Sequence, residues 1–165
     1  MLHTIFKQLD KAVSLSSASA HCDIPCGIYD PATAQINALT VIRCLDLINE
    51  MQGKDLTLAD QAKLARLVGQ KEEHAEKVKH DVRVIWGDYF KQAQFDQVPG
   101  VHELAHKIMM VGSKCRQEID QAQGLELLNL VNQFAEAFWK TKGVETFTAV
   151  SPYAPAKDVV YPKLG

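Results

Sequence analysis

The sequence lacks any apolar run approaching the roughly 18 to 20 residues that cross a bilayer, although 47% of its 165 residues are hydrophobic. It also lacks a strong charge of either sign, because 18 basic residues stand against 20 acidic ones and give a formal net charge of -2. Such a balance provides no electrostatic footprint for nucleic acid or for an anionic membrane. These absences predict a soluble protein with neither a nucleic-acid partner nor a membrane partner.

Cysteine is scarce, since four cysteines in 165 residues are too few for a disulfide scaffold in a chain of this size. Cys44 and Cys115 fall within the apolar stripes of helical patterns, which predicts buried free thiols. Cys22 and Cys26 lie close together near the N-terminus, outside any such stripe. This second pair needs a different explanation.

Strand patterns are also missing, because no stretch shows the strict alternation of a half-buried strand, whereas four helical patterns follow one another with short breaks. Asp30-Pro31 is typical of a helix start, and Thr57 with Asp60 resembles a capping box. Short links between helices of similar length predict an all-α fold, an antiparallel up-down four-helix bundle over residues 31–142.

Three further segments complete this outline. Gly124 is predicted to lie at the turn between the third and fourth helices, and the charged run that begins at Lys71 is interpreted as a solvated helix face. The segment 143–165 contains three prolines and is predicted to be an extended C-terminal arm, either packed on a neighbour or loose.

The first twenty residues form a segment of their own. Apolar residues recur there at helical spacing between charged ones, and the segment ends in Ala18-Ser19-Ala20, which resembles a signal-peptidase site and leaves a secretory signal as the alternative interpretation. A continuous apolar core, as in a secretory signal, is absent. We therefore interpret residues 1–20 as a pro-segment that a processing peptidase removes from a cytoplasmic protein.

The segment 21–30 then carries the chemistry, with the sequence H-C-D-I-P-C-G-I-Y-D. If cleavage after Ala20 frees the amine of His21, that amine and the backbone nitrogen of Cys22 close a five-membered chelate ring on a metal. The Cys22 thiolate closes a second ring, and a turn around Cys26 brings a further thiolate to the fourth corner of a square. Two nitrogens and two sulfurs in a plane suit Ni(II), with the His21 imidazole in axial reach.

The spacing alone leaves other interpretations open. Two cysteines three residues apart also occur as a surface dithiol or as a disulfide, in which case the chain would be a helical assembly protein. The same amino-terminal chelate would also serve a nickel or copper carrier that performs no catalysis.

A resemblance favours the redox site. H-C-D-I-P-C-G-I-Y-D-P at 21–31 resembles the N-terminal signature of mature nickel superoxide dismutases, and W-G-D-Y-F-K at 86–91 is similar to a second segment of that family. The resemblance covers the chain to about residue 142. It implies a short leader, a four-helix bundle, one nickel ion per subunit, a homohexamer and the disproportionation of superoxide.

The resemblance also implies roles for individual residues. His21, Cys22 and Cys26 would be the nickel ligands, with the His21 imidazole bound in the Ni(III) state only. Tyr29 would stand over the vacant coordination position, and Asp23 would hold the metal-binding segment.

Three residues of the bundle complete the set that the resemblance implies. Tyr89 would shape the entrance to the metal. Asn37 and His74 stand where well-known members have a glutamate and an arginine that orient the axial histidine. The side chains that support the His21 imidazole would therefore carry less charge than the glutamate and arginine of those members.

One competing motif remains. The run from His102 to His106 matches H-E-x-x-H, which on a helix places two histidines on one face for zinc, with Glu126 as a candidate third ligand. A protease also needs a substrate cleft and usually an edge strand, and a small helical bundle predicts neither. The related di-iron pattern needs a second copy, which the sequence does not have.

Overall fold

The computed structural model of the chain describes residues 26–165. Its regular elements, in chain order, are α1 Ala32–Asn49, α2 Leu58–Val84, a π-helical turn Ile85–Tyr89, α3 Gln92–Gln97, α4 Val101–Gln117, α5 Gln121–Thr141, β1 Thr146–Val150 and β2 Asp158–Pro162. The four long helices α1, α2, α4 and α5 pack as a bundle in which α1 and α4 each contact both α2 and α5. The predicted helical bundle is confirmed.

The helix starts follow from local side-chain chemistry. Asp30 Oδ1 accepts a hydrogen bond from the Ala32 N–H at 2.8 Å, just before α1. At α2 the predicted capping box is present, because Thr57 Oγ1 accepts from the Asp60 N–H at 3.2 Å and Asp60 Oδ2 accepts from the Thr57 N–H at 3.0 Å. Each cap satisfies backbone donors that have no partner inside the helix.

The core of the bundle is apolar, and its largest fully buried aromatic side chains are Phe90, Phe134 and Phe138. Cys44 and Cys115 are both buried, as predicted. Burial raises the pKa of the Cys44 thiol, and it raises the pKa of the Cys115 thiol to about 11. Within residues 26–165, no helix combines the length and the apolar character that a membrane crossing requires.

The position predicted for Gly124 is wrong. Gly124 lies inside α5 and is buried against α1, and the turn before α5 falls between Gln117 and Gln121. A Cβ atom at Gly124 would lie 2.8 Å from Leu45 Cδ1 and 3.4 Å from Ile42 Cγ1. The glycine therefore allows a close approach of two helices and does not mark a break.

We expect the substitution Gly124→Ala to lower the free energy of unfolding by up to about 2 kcal/mol, because overpacking of a filled core costs about 1–3 kcal/mol and the gain in helix propensity offsets about 1 kcal/mol of it. Gly69→Ala is the matched control, since Gly69 lies exposed within α2 with open space around its Cβ position. That change should stabilise the protein by up to about 1 kcal/mol through helix propensity. Urea unfolding of both variants measures the difference, and equal shifts would contradict the close packing.

The interpretation of Lys71 as part of a solvated face is also wrong. Lys71 is 1% exposed, and its ammonium donates to the carbonyl oxygens of Cys115, Arg116 and Glu118 at the end of α4. A helix terminus leaves its last carbonyls without intrahelical donors. Lys71, on the neighbouring helix α2, supplies the donors that these carbonyls lack. Burial of Lys71 lowers the pKa of its amine.

The C-terminal segment differs from the prediction as well. Instead of a loose arm, or one packed on a neighbour, it forms an antiparallel hairpin of β1 and β2 that packs on its own bundle. Val159 and Val160 are each 3% exposed. The buried Gln35 side chain donates to Val160 O at 2.9 Å and to Asn132 Oδ1 at 3.0 Å, and Asn132 Nδ2 donates to Asp158 O. A buried glutamine on α1 and a half-buried asparagine on α5 thus fix the hairpin.

Candidate metal centre

The π-helical turn places Tyr89 at one end of the bundle. The turn continues α2 with wider spacing, and the Phe90 N–H donates to Ile85 O at 3.2 Å across five residues. Phe90 then turns into the core, where it is 1% exposed. Tyr89 is thereby left half-buried at the edge of the aromatic core.

Tyr29 and Tyr89 lie side by side, with ring centroids 5.7 Å apart. The Tyr89 ring also contacts Phe138 at 4.8 Å, and its hydroxyl lies 2.8 Å from Thr141 Oγ1. The ammonium of Lys142 sits 4.5 Å from the Tyr89 ring centroid. The structure therefore brings together two predicted site tyrosines beside one positive charge.

A small pocket of about 200 Å³ lies behind Tyr29, between the start of α1 and the end of α2. Its lining residues are Ile28, Tyr29, Asp30, Thr33, Asp81, Val84 and Ile85. Asn37 reaches this region, because its Nδ2 donates to Asp81 Oδ2 at 3.0 Å. With the amide nitrogen committed to Asp81, the amide oxygen is the end of Asn37 that is suited to accept from an imidazole.

His74 does not join this group within a single chain. It lies seven residues before Asp81 on α2, about 10 Å along the helix axis at 1.5 Å per residue. Its Nδ1 donates to Gln70 O at 2.8 Å, one turn earlier in the same helix. The residue that contacts Asn37 across the helix pair is Asp81.

Cys26 is exposed just before Tyr29. The other predicted ligands, His21 and Cys22, and the predicted supporting residue Asp23 lie outside the described residues. Cys26 precedes Tyr29 by three residues, and its thiol is of a type that transition metals bind as thiolate. Among residues 26–165, no cluster of three or more His, Cys, Asp or Glu side chains forms another candidate metal site.

The H-E-x-x-H pattern has a local structural explanation. His102 Nδ1 accepts a hydrogen bond from Trp86 Nε1 at 3.1 Å, and its ring stacks on Phe95 with centroids 4.1 Å apart. One ring nitrogen is thus already used by a neighbouring side chain. His102 links the π-helical turn to the start of α4.

Comparison with known proteins decides the family. The family model of nickel-containing superoxide dismutase matches residues 16–142, about three quarters of the chain. The chain belongs to this family. A superoxide dismutase [Ni] of Streptomyces coelicolor is 38% identical over 126 residues, which cover 76% of this chain and 91% of that relative. One from Streptomyces seoulensis is 36% identical over 124 residues, which cover 75% of this chain and 89% of that relative.

Solved structures of nickel superoxide dismutase show the same fold. A native structure aligns with a TM-score of 0.65 at 36% identity, and covers 74% of this chain and 99% of its own. An apo structure aligns with a TM-score of 0.63 at 35% identity, and covers 71% of this chain and 99% of its own. The family match ends at residue 142, so the C-terminal hairpin of this chain lies beyond it.

Sequence reasoning missed three residues at this site: Asp81, Thr141 and Lys142. Asp81 is one of several charged residues on α2, and nothing in the sequence singles it out as the partner of Asn37. Thr141 and Lys142 lie at the end of α5, more than fifty residues from Tyr89. Only the packing of α5 against the π-helical turn brings them to the tyrosines.

Proposed function

We propose that this protein disproportionates superoxide, so that two superoxide anions and two protons give dioxygen and hydrogen peroxide. The observation that carries the proposal is the family match, which begins before His21 and includes the whole candidate metal-binding segment. The contact of Tyr29, which belongs to that segment, with Tyr89 of the bundle supports it.

His21, Cys22 and Cys26 are the residues that would hold the nickel ion. When bound, nickel supplies the one-electron change between Ni(II) and Ni(III) that the reaction needs. Asp23 would stabilise the segment 21–30 around the ion. Asn37 would accept a hydrogen bond from the His21 imidazole through its amide oxygen, because its nitrogen is held by Asp81.

The described residues supply binding and orientation. The ammonium of Lys142 beside Tyr89 provides positive charge where an anion arrives, which favours encounter with superoxide. Tyr29 offers a hydroxyl that can hold an anion or a water next to the metal. Binding energy is a minor requirement for so small a substrate, whereas a nearby proton source and rigid groups matter for turnover.

The assembly and maturation of the protein are part of the proposal. Removal of residues 1–20 by a processing peptidase in the cytoplasm would free the His21 amine. Ile28 and Ile36 expose 75% and 52% of their surface next to Tyr29 and Asn37 in the sequence. In a homohexamer, which the family resemblance implies, neighbouring subunits would cover these side chains. His74 would act within that assembly.

The proposal is tested on a chain that begins at His21, loaded with Ni(II) and desalted. We expect one nickel per chain by mass spectrometry and superoxide decay, followed by pulse radiolysis, with a rate constant on the order of 10⁸–10⁹ M⁻¹s⁻¹, close to the diffusional ceiling. Cys26→Ser should lose both properties. Cys44→Ala, which removes a buried thiol in α1, should keep both. Readily exchanging nickel without superoxide consumption would identify a carrier and contradict the proposal.

A further inference from the structure

The hydroxyl of Tyr89 belongs to a short hydrogen-bonded chain that ends on the backbone of α5. Tyr89 Oη lies 2.8 Å from Thr141 Oγ1, and Thr141 Oγ1 lies 2.6 Å from Phe138 O. The Lys142 N–H, which a continuing α-helix would direct to Phe138 O, donates to Trp139 O at 3.0 Å instead. The Phe138 carbonyl is therefore left to the threonine hydroxyl.

The direction of both hydrogen bonds follows from counting hydrogens. A carbonyl oxygen can only accept, so Thr141 must use its single hydroxyl hydrogen on Phe138 O. Thr141 Oγ1 then has only lone pairs to offer to Tyr89. The Tyr89 hydroxyl must therefore be the donor in its contact with Thr141.

We propose that Thr141 is a positioning residue that fixes Tyr89 as a hydrogen-bond acceptor toward the metal site. A phenol carries one hydroxyl hydrogen, and here that hydrogen points at α5. Every further contact of the Tyr89 oxygen is then made through its lone pairs. The orientation of the Tyr89 hydroxyl does not depend on the proposed function, whereas its consequence for the reaction rests on that function.

The consequence concerns which species Tyr89 can recognise. Hydrogen peroxide and water carry hydrogens and can donate to the Tyr89 oxygen, whereas superoxide carries none. Tyr89 therefore binds protonated species, and it cannot deliver a proton to superoxide while its bond to Thr141 is intact.

The orientation is tested by ultraviolet resonance Raman spectroscopy of the full chain, whose tyrosine Fermi doublet distinguishes donors from acceptors. The chain has four tyrosines, so the spectrum of Tyr89 is obtained as the difference from Tyr89→Phe. We expect a donor signature in the wild type and in Thr141→Ser, and its loss in Thr141→Val. A signature of a pure acceptor in the wild type, or one unchanged in Thr141→Val, would overturn the proposal with or without nickel.

Azide provides a second readout on the nickel-loaded protein, since it is an anion without a hydrogen. In the wild type, Tyr89→Phe should change the azide inhibition constant by less than about twofold, because the Tyr89 hydrogen is committed to Thr141. In the Thr141→Val background the same change should weaken azide about tenfold, since the released hydroxyl can donate to the anion. A tenfold weakening in the wild type would contradict the proposal. If nickel does not bind at all, the proposed function fails, and the Raman result still decides the orientation.

Discussion

A chain that begins at His21 and carries an acetyl group on its terminal nitrogen should lose superoxide disproportionation by more than about a hundredfold, the upper range for loss of a residue that merely supports a metal ligand. Acetylation converts a basic amine into an amide, which cannot supply the same lone pair to the metal. The first chelate ring then cannot close. Pulse radiolysis of superoxide decay and nickel analysis measure the loss.

The matched control is made by the same chemistry. Native chemical ligation joins a histidine thioester, with or without the acetyl group, to a chain that begins at Cys22. The two products differ only at the terminal nitrogen, and the lysines stay unmodified. The chain that retains residues 1–20 should behave like the acetylated product. Full turnover from either blocked chain would show that a free terminal amine is not needed.

Lys71→Met should lower the free energy of unfolding by about 3 kcal/mol. The substitution keeps an unbranched apolar side chain but removes the ammonium, so that the buried carbonyl of Cys115 and the part-buried carbonyls of Arg116 and Glu118 lose their donor. An unsatisfied buried acceptor costs about 1–3 kcal/mol, and part of that cost is recovered by local rearrangement. Urea unfolding at a fixed protein concentration measures the change, because the stability of a protein that associates depends on its concentration.

Lys77→Met is the control for removing a lysine charge from the same helix. Lys77 forms a surface ion pair with Glu73 at 2.7 Å, and both side chains are about half exposed. Such pairs contribute little, so the change should stay within about 0.5 kcal/mol. If Lys71→Met were as mild as Lys77→Met, the carbonyl cap would have no energetic role.

The helices of the bundle were predictable because their signals are local. A capping box depends on residues three apart, and an apolar stripe repeats every three or four residues, so Thr57 with Asp60 and the stripes were found correctly. The C-terminal hairpin was missed because two strands of five residues carry little alternation. Its stability depends on Gln35 and Asn132, which come from distant helices.

The metal site likewise has one part that the sequence predicts and one part that it does not. The ligand set of His21, Cys22 and Cys26 is a prediction from chain geometry and family resemblance, and it needs only neighbouring residues. The environment of Tyr89 could not be predicted, because Thr141 and Lys142 reach it through helix packing.

The sequence by itself determined the helical class and the family, and it predicts the chemistry of the segment 21–30, because each depends on residues close together in the chain. The tertiary structure decided which polar groups meet across helices. It buried Lys71 at the end of α4, placed Gly124 against Leu45, and set the direction of the Tyr89 hydroxyl through Thr141. The physical reason is that a hydrogen bond or a close contact between distant residues depends on how helices pack, and that packing leaves no pattern in the local sequence.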